Sequence, residues 1–373
     1  MVVAQAEVGR ISGLLQEAIR ARIRIDERTL MMLKAGIVGA GDWGKNLVRV
    51  FYQIRDVELA YCCDADGNRR KAVSQLFPGV CLTSRFEDIL ADASVQAVII
   101  ASSAITHYEF AKAALEAGKH VYVEKPLALS VAHAEEMVAL ADSKNLKLMV
   151  GHLLVYHPAV SHLRKMVESG ELGEVFYIYS QRVNLGKIRQ DENALWSFAP
   201  HDISVILHLL GQLPVSVSAR GESYLREGVE DVVFVNMKFR DRKMAQLQLS
   251  WLDPHKIRKI TIVGSKKMVV FDDVESTEKL KIFDKGVSGV SYESYGDSLT
   301  LRFGDINIPH INMTEPLRAE CQHFVDCVLH DKQPMTGGND GLRVVRIIEA
   351  AEHSMKHDGE PVRLPESLAA ERT

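Results

Sequence analysis

The sequence predicts an α/β protein: a doubly wound parallel sheet, followed by an α+β domain with a large, mostly antiparallel open sheet. Three observations carry this. From Leu33 to about Val150, short β-rich apolar runs alternate with helical stretches, which is the pattern of a parallel sheet covered on both faces. After Gly151 the apolar runs take on period 2 and are joined by hairpin signals, which implies antiparallel pairing. The length of 373 residues, at about 150 residues per domain, leaves room for two domains.

The elements follow in order. Strands are expected at Ala35–Val38, Leu59–Cys63, Ala97–Ala101, Val121–Val123 and Leu146–Val150. Helices are expected between them, near Gly44–Ile54, Asn68–Leu76, Phe86–Ala91, Ile105–Ala117 and Val131–Lys144. Gly118 stands where a helix C-terminal cap belongs. Beyond Gly151 a helix over Pro158–Ser169 ends before Gly170. Alternating runs then mark strands at Val175–Val183, Val215–Gly221, Val232–Phe239, Met244–Trp251, Lys259–Val263, Met268–Phe271 and Lys279–Phe283. Arg240-Asp241-Arg242-Lys243 and Gly264-Ser265-Lys266-Lys267 read as hairpin turns. Helices are expected at His201–Leu210, Glu315–His330 and Gly341–His357.

The expected domains are 33–150 and 151–364, with a tail at 365–373. The C-terminal helices could pack back on the first domain. Residues 1–32 stand apart. Ile11 to Ile25 has helical spacing with Glu17, Arg20, Arg22 and Arg24 interleaved, and lacks the unbroken apolar stretch of a secretory signal. This segment is either a helical extension or an artefact of start-site choice, since Met31 and Met32 immediately precede the first strand.

Hydrophobic residues at 47% and charged residues at 25% are ordinary for a globular protein. A net charge of -4 argues against a dedicated nucleic-acid binder, and the short apolar runs argue against a membrane span. The five cysteines, Cys62, Cys63, Cys81, Cys321 and Cys327, are odd in number and contain no CxxC. They read as reduced thiols of a cytoplasmic protein without a zinc site.

The most informative motif is Gly39-Ala40-Gly41-Asp42-Trp43-Gly44, which follows an apolar strand and opens a helix. In a dinucleotide-binding loop the first Gly permits a tight turn, the second lets the backbone approach a pyrophosphate, and the third allows close helix–strand packing. Asp64 ends the next strand, 20 residues after Gly44, where an acid accepts hydrogen bonds from the adenosine ribose. Its charge favours NAD over NADP. Arg69 and Arg70 could soften that preference, or be solvated helix residues. The plain alternative is a Gly-rich turn with no ligand.

Glu124-Lys125-Pro126 follows a strand end, where ligands gather in a doubly wound sheet. Lys125 beside a cationic nicotinamide could take part in proton transfer, and Pro126 could fix the local backbone, as a cis bond. In Trp196-Ser197-Phe198-Ala199-Pro200-His201-Asp202, Pro200 suits a helix start, which would put His201 in a first turn where the dipole lowers its pKa. His201 is then a candidate base. His152, His157 and His162 are spaced by five and do not share a helix face, so no metal site is assigned.

These markers resemble the Gfo/Idh/MocA oxidoreductases, the glucose–fructose oxidoreductase and inositol dehydrogenase group. The likeness runs from Leu33 to Leu364 and includes Val150-Gly151-His152, Tyr156-His157-Pro158-Ala159, and His201 ten residues before Gly211. It implies an NAD-binding Rossmann domain, then an α/β domain whose open sheet builds a homodimer or homotetramer. It implies catalytic Lys125 and His201, and a cofactor site from Gly39, Gly41, Asp42, Trp43, Gly44, Asp64, Arg69, Ser102, His107, Glu124 and Lys125. Many members carry an Asp four residues before the catalytic His. Here that residue is Ser197, and Asp202 follows the His instead.

The blocks Tyr179–Gly186 and Leu195–Ile203 resemble the branch of UDP-N-acetylglucosamine 3-dehydrogenases of amino-sugar and surface-polysaccharide pathways. That implies a substrate site from Tyr156, Arg182, Asn184, Trp196 and Asp202, with Lys187 and Arg189 as further anion contacts or a solvated loop. The expected reaction is oxidation of a ring hydroxyl, at C3, with hydride transfer to nicotinamide. Alternatives are a dehydrogenase of free sugar or inositol, a non-catalytic NAD-binding regulator, and an NAD-dependent glycoside hydrolase.

Overall fold

The computed structural model describes residues 32–186, 192–288 and 300–365. The expected N-terminal extension, nearly all of the tail, and Lys187 and Arg189 lie outside the described residues.

The first half contains β1 (Leu33–Val38), α1 (Gly44–Gln53), β2 (Val57–Cys63), α2 (Gly67–Leu76), β3 (Cys81–Thr83), α3 (Phe86–Ala91), β4 (Ala97–Ile100), α4 (His107–Glu116), β5 (His120–Glu124), α5 (Val131–Ser143) and β6 (Leu148–Gly151). Its six strands form a sheet in the order β3-β2-β1-β4-β5-β6, paired parallel throughout. Strand order reverses at β1, so a crevice opens between the C-terminal ends of β1 and β4. β4 is fully buried because helices cover both faces. The same covering buries both Cys62 and Cys63, although they point to opposite sides; burial pushes their thiols up to about 12 and about 11, and they are inert as nucleophiles.

The second half contains α6 (Pro158–Glu168), β7 (Val175–Val183), α7 (Ala194–Leu210), β8 (Ser216–Glu222), β9 (Val232–Lys238), β10 (Met244–Ser250), β11 (Ile257–Gly264), β12 (Met268–Asp272), β13 (Leu280–Ser288), β14 (Thr300–Asn307), α8 (Pro316–Leu329), α9 (Gly338–Met355) and β15 (Val362–Arg363). Nine strands form one mixed sheet in the order β14-β13-β12-β11-β7-β10-β9-β8-β15. Only β7 and β10 pair parallel. Both expected hairpins form. In the first, Asp241 and Arg242 take φ of 54° and 60°, the left-handed pair of a tight two-residue turn.

One face of this sheet is apolar: Ile178, Val233, Val235, Leu247, Leu249, Ile260 and Ile262 are each at most 2% exposed. α7 packs on it over β7, β9 and β10. The other face is open, with Tyr177, Tyr179, Phe234, Met244 and Ile306 exposed. α9 packs on α5 and β6 of the first half and on α7 and β8 of the second.

Three strands escape the sequence reading. β3 has three residues and no apolar run, β14 is an exposed edge strand interrupted by Gly304-Asp305, and β15 has two residues. The larger correction concerns α7. It begins at Ala194, with the Asn193 side chain accepting from the Trp196 amide at 3.0 Å, and Pro200 lies inside it. Pro200 therefore does not start the helix, and His201 sits in its middle, where the N-terminal dipole does not reach.

Candidate active site

The glycine loop joins β1 to α1 at the reversal of strand order. Gly39 has φ +95°, and a Cβ there would meet the carbonyl oxygen of Ala101 at 2.6 Å. A Cβ on Gly44 would collide with the Gly39 carbonyl oxygen. A Cβ on Gly41 would meet only the Arg69 guanidinium, at 3.5 Å, so this part of the backbone faces open space. The α1 N-terminus has no side-chain cap, and its Lys45 and Asn46 amides bond the Gly41 and Trp43 carbonyls of the loop itself. The loop thus fits a dinucleotide pyrophosphate. Replacing Gly44 with alanine is expected to abolish the rise in thermal midpoint that NAD+ gives the unaltered protein.

Asp64 ties the second strand to this loop. Its Oδ2 accepts from the Ala40 amide at 2.7 Å, and its Oδ1 from the Asp66 amide at 2.8 Å. Arg69, half exposed, stands 3.7 Å from Asp64 Oδ2. Arg70 turns back to the Asp64 carbonyl at 2.5 Å.

Across the crevice β5 delivers Glu124, Lys125 and Pro126, and the Lys125–Pro126 bond is cis. Trp43 Nε1 donates to Glu124 Oε1 at 2.6 Å, which joins the glycine loop to the β5 end. Burial raises the Glu124 pKa. His107 Nδ1 lies 2.8 Å from the Pro126 carbonyl and Nε2 lies 3.3 Å from the Ser102 carbonyl. Burial lowers this ring to about 4, so it is neutral and donates from one nitrogen only, the shorter contact being that to the Pro126 carbonyl. Lys125 Nζ donates to the Ser197 carbonyl of α7 at 3.0 Å, which brings the second half of the chain to the first.

These groups share a cavity of about 450 Å³, whose wall includes Trp43, Ser102, His107, Glu124, Lys125, Arg182 and His201. That volume suits a small organic ligand. The pKa of His201 lies well below the ordinary value because of burial, then the cations Lys125 and Arg182. This replaces the helix-dipole explanation. His201 Nδ1 is buried without a hydrogen-bond partner.

Other expected residues sit elsewhere. Tyr156 is buried with its hydroxyl 3.0 Å from Thr336 Oγ1, and Trp196 is buried in the hydrophobic core. Neither ring is in the cavity wall, because both fill the packing between helices and sheet. Asp202 is 1% exposed behind Arg182, accepting from Nε at 2.6 Å, from Nη2 at 3.1 Å, and from Ser180 Oγ at 2.8 Å. It anchors Arg182 and does not reach the cavity. Asn184 is half-buried and also outside the wall, its amide on the Ser250 carbonyl at 3.1 Å.

The sequence reading missed Arg258, which lines the cavity opposite Arg182. The signal was available. Arg258 shares the parity of Ile260 and Ile262, so period 2 places it on the apolar face of β11. Among the described residues no cluster of His, Cys, Asp or Glu could hold a metal, and no helix is long and apolar enough to cross a membrane.

Residues 33–152 match the model of the oxidoreductase family with NAD-binding Rossmann fold, and residues 160–270 match the Gfo/Idh/MocA C-terminal domain. UDP-N-acetylglucosamine 3-dehydrogenase of Acidithiobacillus ferrooxidans is 26% identical over 328 residues, covering 85% of this chain and 95% of that protein. The solved structure of that species' UDP-N-acetylglucosamine 3-dehydrogenase GnnA superposes with a TM-score of 0.73 at 24% identity, over 87% of this chain and 97% of the other, a likeness of fold. Inositol 2-dehydrogenase of Salmonella typhimurium is 31% identical over 188 residues, 49% of this chain and 56% of that protein. With both halves matched and its glycine loop shaped for the dinucleotide, the chain belongs to the Gfo/Idh/MocA oxidoreductase family and carries an NAD(P)-binding Rossmann domain.

Proposed function

We propose that this protein is a dehydrogenase that oxidises a ring hydroxyl, at C3, of a sugar nucleotide of the UDP-N-acetylglucosamine type. The observation that carries the reading is the convergence of Lys125 and His201 on one cavity at the mouth of the dinucleotide crevice. The similarity to the Acidithiobacillus enzyme, which extends along nearly its whole length, supports the substrate class.

Bound along Gly39–Gly44, the nicotinamide dinucleotide supplies the hydride acceptor. The chain's own residues handle the proton. His201, neutral because its pKa is low, accepts the hydroxyl proton. The Lys125 ammonium, held by the Ser197 carbonyl, stabilises the developing alkoxide. Incubation with NAD+ and a panel of UDP-sugars, free sugars and inositols, followed by NADH absorbance, tests this. NADH from a UDP-sugar is the expected result. Production only from inositol would move the substrate to the runner-up, and no NADH from any polyol would leave a regulator.

NAD is the proposed cofactor: Asp64 ends β2 beside the glycine loop, and its negative charge would repel a 2′-phosphate. The expected kcat/KM for NAD+ exceeds that for NADP+ by at least about tenfold. The proposed assembly is a homodimer or homotetramer through the open sheet face. Tyr177 and Met244, paired across β7 and β10, are 44% and 57% exposed there. Light scattering is expected to give two or four copies, and Tyr177→Glu to lower that number.

A further inference from the structure

Arg182 and Arg258 are direct cross-strand partners in the β7–β11 register, and both line the Lys125–His201 cavity. They stand on the sheet face that also carries Ile178, Ser180, Ile260 and Ile262. Like charges set opposite each other on two strands are destabilising, and a guanidinium on a buried face loses hydration. Packing alone does not call for two cations in this place.

Asp202 accounts for half of the arrangement. It grips the Nε–Nη2 edge of Arg182 from behind and lies outside the cavity wall. Arg258 has a looser companion. Its Nη1 is 3.7 Å from Asp273, beyond hydrogen-bond length, and its side chain is 40% exposed. Burial and the neighbouring Arg182 lower the Arg258 pKa, against the opposing pull of Asp273 and Asp202. Three acids share the wall: Asp273 beside Arg258, Glu192 just ahead of α7, and Glu124 held by Trp43 at the cofactor end.

We propose that Arg182 and Arg258 form a carboxylate clamp, and that the substrate is a sugar bearing an acidic substituent on the ring that is oxidised. The proposal rests on the dehydrogenase reading above and narrows its substrate. Spacing bounds how far the clamped group lies from the reacting hydroxyl. Lys125 is anchored to the carbonyl of Ser197 and Arg182 to the carboxylate of Asp202, five positions along α7. At about 1.5 Å per residue these anchors are about 7.5 Å apart along the helix. That is the scale of one sugar ring with its nearest substituents, so a group clamped at Arg182 is carried on or next to the ring whose hydroxyl meets Lys125. Guanidinium donors in a planar fork match a carboxylate bidentately.

The test is the thermal midpoint of the full chain with saturating NAD+, across concentration series of D-glucuronate, D-glucose, UDP-glucuronate, UDP-glucose and UDP. Each acid is expected to bind at least tenfold more tightly than its neutral counterpart. Arg258→Gln is expected to bring both ratios within twofold, Arg258→Lys to restore part of the preference, and NAD+ binding to stay unchanged in both. A wild-type ratio near one, a ratio that survives Arg258→Gln, or no shift with any sugar would overturn the clamp. Loss of UDP binding in Arg258→Gln would also overturn it, by making the pair a diphosphate site. NADH formation in the same samples judges the dehydrogenase reading separately. Acid preference without NADH keeps the clamp and removes the dehydrogenase; NADH from neutral sugars bound as well as acids does the reverse.

Discussion

Turnover of the Lys125→Met variant is expected to fall by about 10²–10⁴-fold, with the NAD+ dissociation constant changed little. The ammonium is the part that matters. Lys125 Nζ stands at 3.0 Å from the Ser197 carbonyl, in the wall shared with His201, and methionine keeps the apolar stem without the charge. The loss should appear in kcat more than in KM, because an alkoxide exists only on the way to the transition state. The pH profile gives a companion result. His201 titrates well below the ordinary histidine value, owing first to burial and then to Lys125 and Arg182. A base with a lowered pKa stays unprotonated down to that pKa, so its limb of kcat/KM lies on the acid side, below the ordinary value. Removing the Lys125 charge should move the limb upward. Steady-state kinetics across pH measure both effects, and a Lys125→Met enzyme within a factor of ten of wild type would take this residue out of the chemistry.

Asp202→Ala is expected to destabilise the fold by about 3–5 kcal/mol, read as a lower denaturant midpoint. Arg182 is only 5% exposed and its Nε and Nη2 both donate to Asp202. Truncating the acid leaves a guanidinium buried and unpaired. It also removes the 2.8 Å bond of Ser180 Oγ to Asp202 Oδ1 and leaves that hydroxyl only the longer one to the Lys259 carbonyl, at 3.2 Å. The double variant Asp202→Ala with Arg182→Met should recover part of the loss, since removing both charges leaves nothing unpaired. A midpoint for Asp202→Ala equal to wild type would mean that Arg182 finds another partner or water.

The pair Arg182–Asp202 also marks where sequence reasoning reached and where it stopped. The parallel sheet was legible because alternation of apolar runs and helices extends over more than a hundred residues, and the glycine loop fixes its cofactor end. Lys125 and His201 were legible through their motifs and do converge. Arg182, at the end of β7, was legible as a cavity residue, whereas its partner was taken for a substrate contact. Two charges on separate elements give no local sign that they neutralise one another. The same limit misplaced Tyr156 and Trp196, whose rings look like stacking surfaces and in fact fill space. The start of α7 was misread for a different reason. Pro200 is a strong local signal for a helix beginning, but Asn193 caps seven positions earlier and the apolar contacts of Leu195, Trp196 and Ala199 carry the helix through.

The helix α9 has a consequence for biosynthesis. It contacts β6 and α5 on one side and β8 and α7 on the other, yet it occupies residues 338–355 of 373. A nascent chain that has already paired every strand of the first sheet still lacks the helix that covers β6. That surface, which includes Leu148 and Val150, faces water until residues 338–355 have been made. The two halves therefore share one covering helix that is made after both sheets are nearly complete. Closure of both hydrophobic cores waits for the same helix, and a ribosome stalled before Gly338 would hold an exposed apolar patch on each of them.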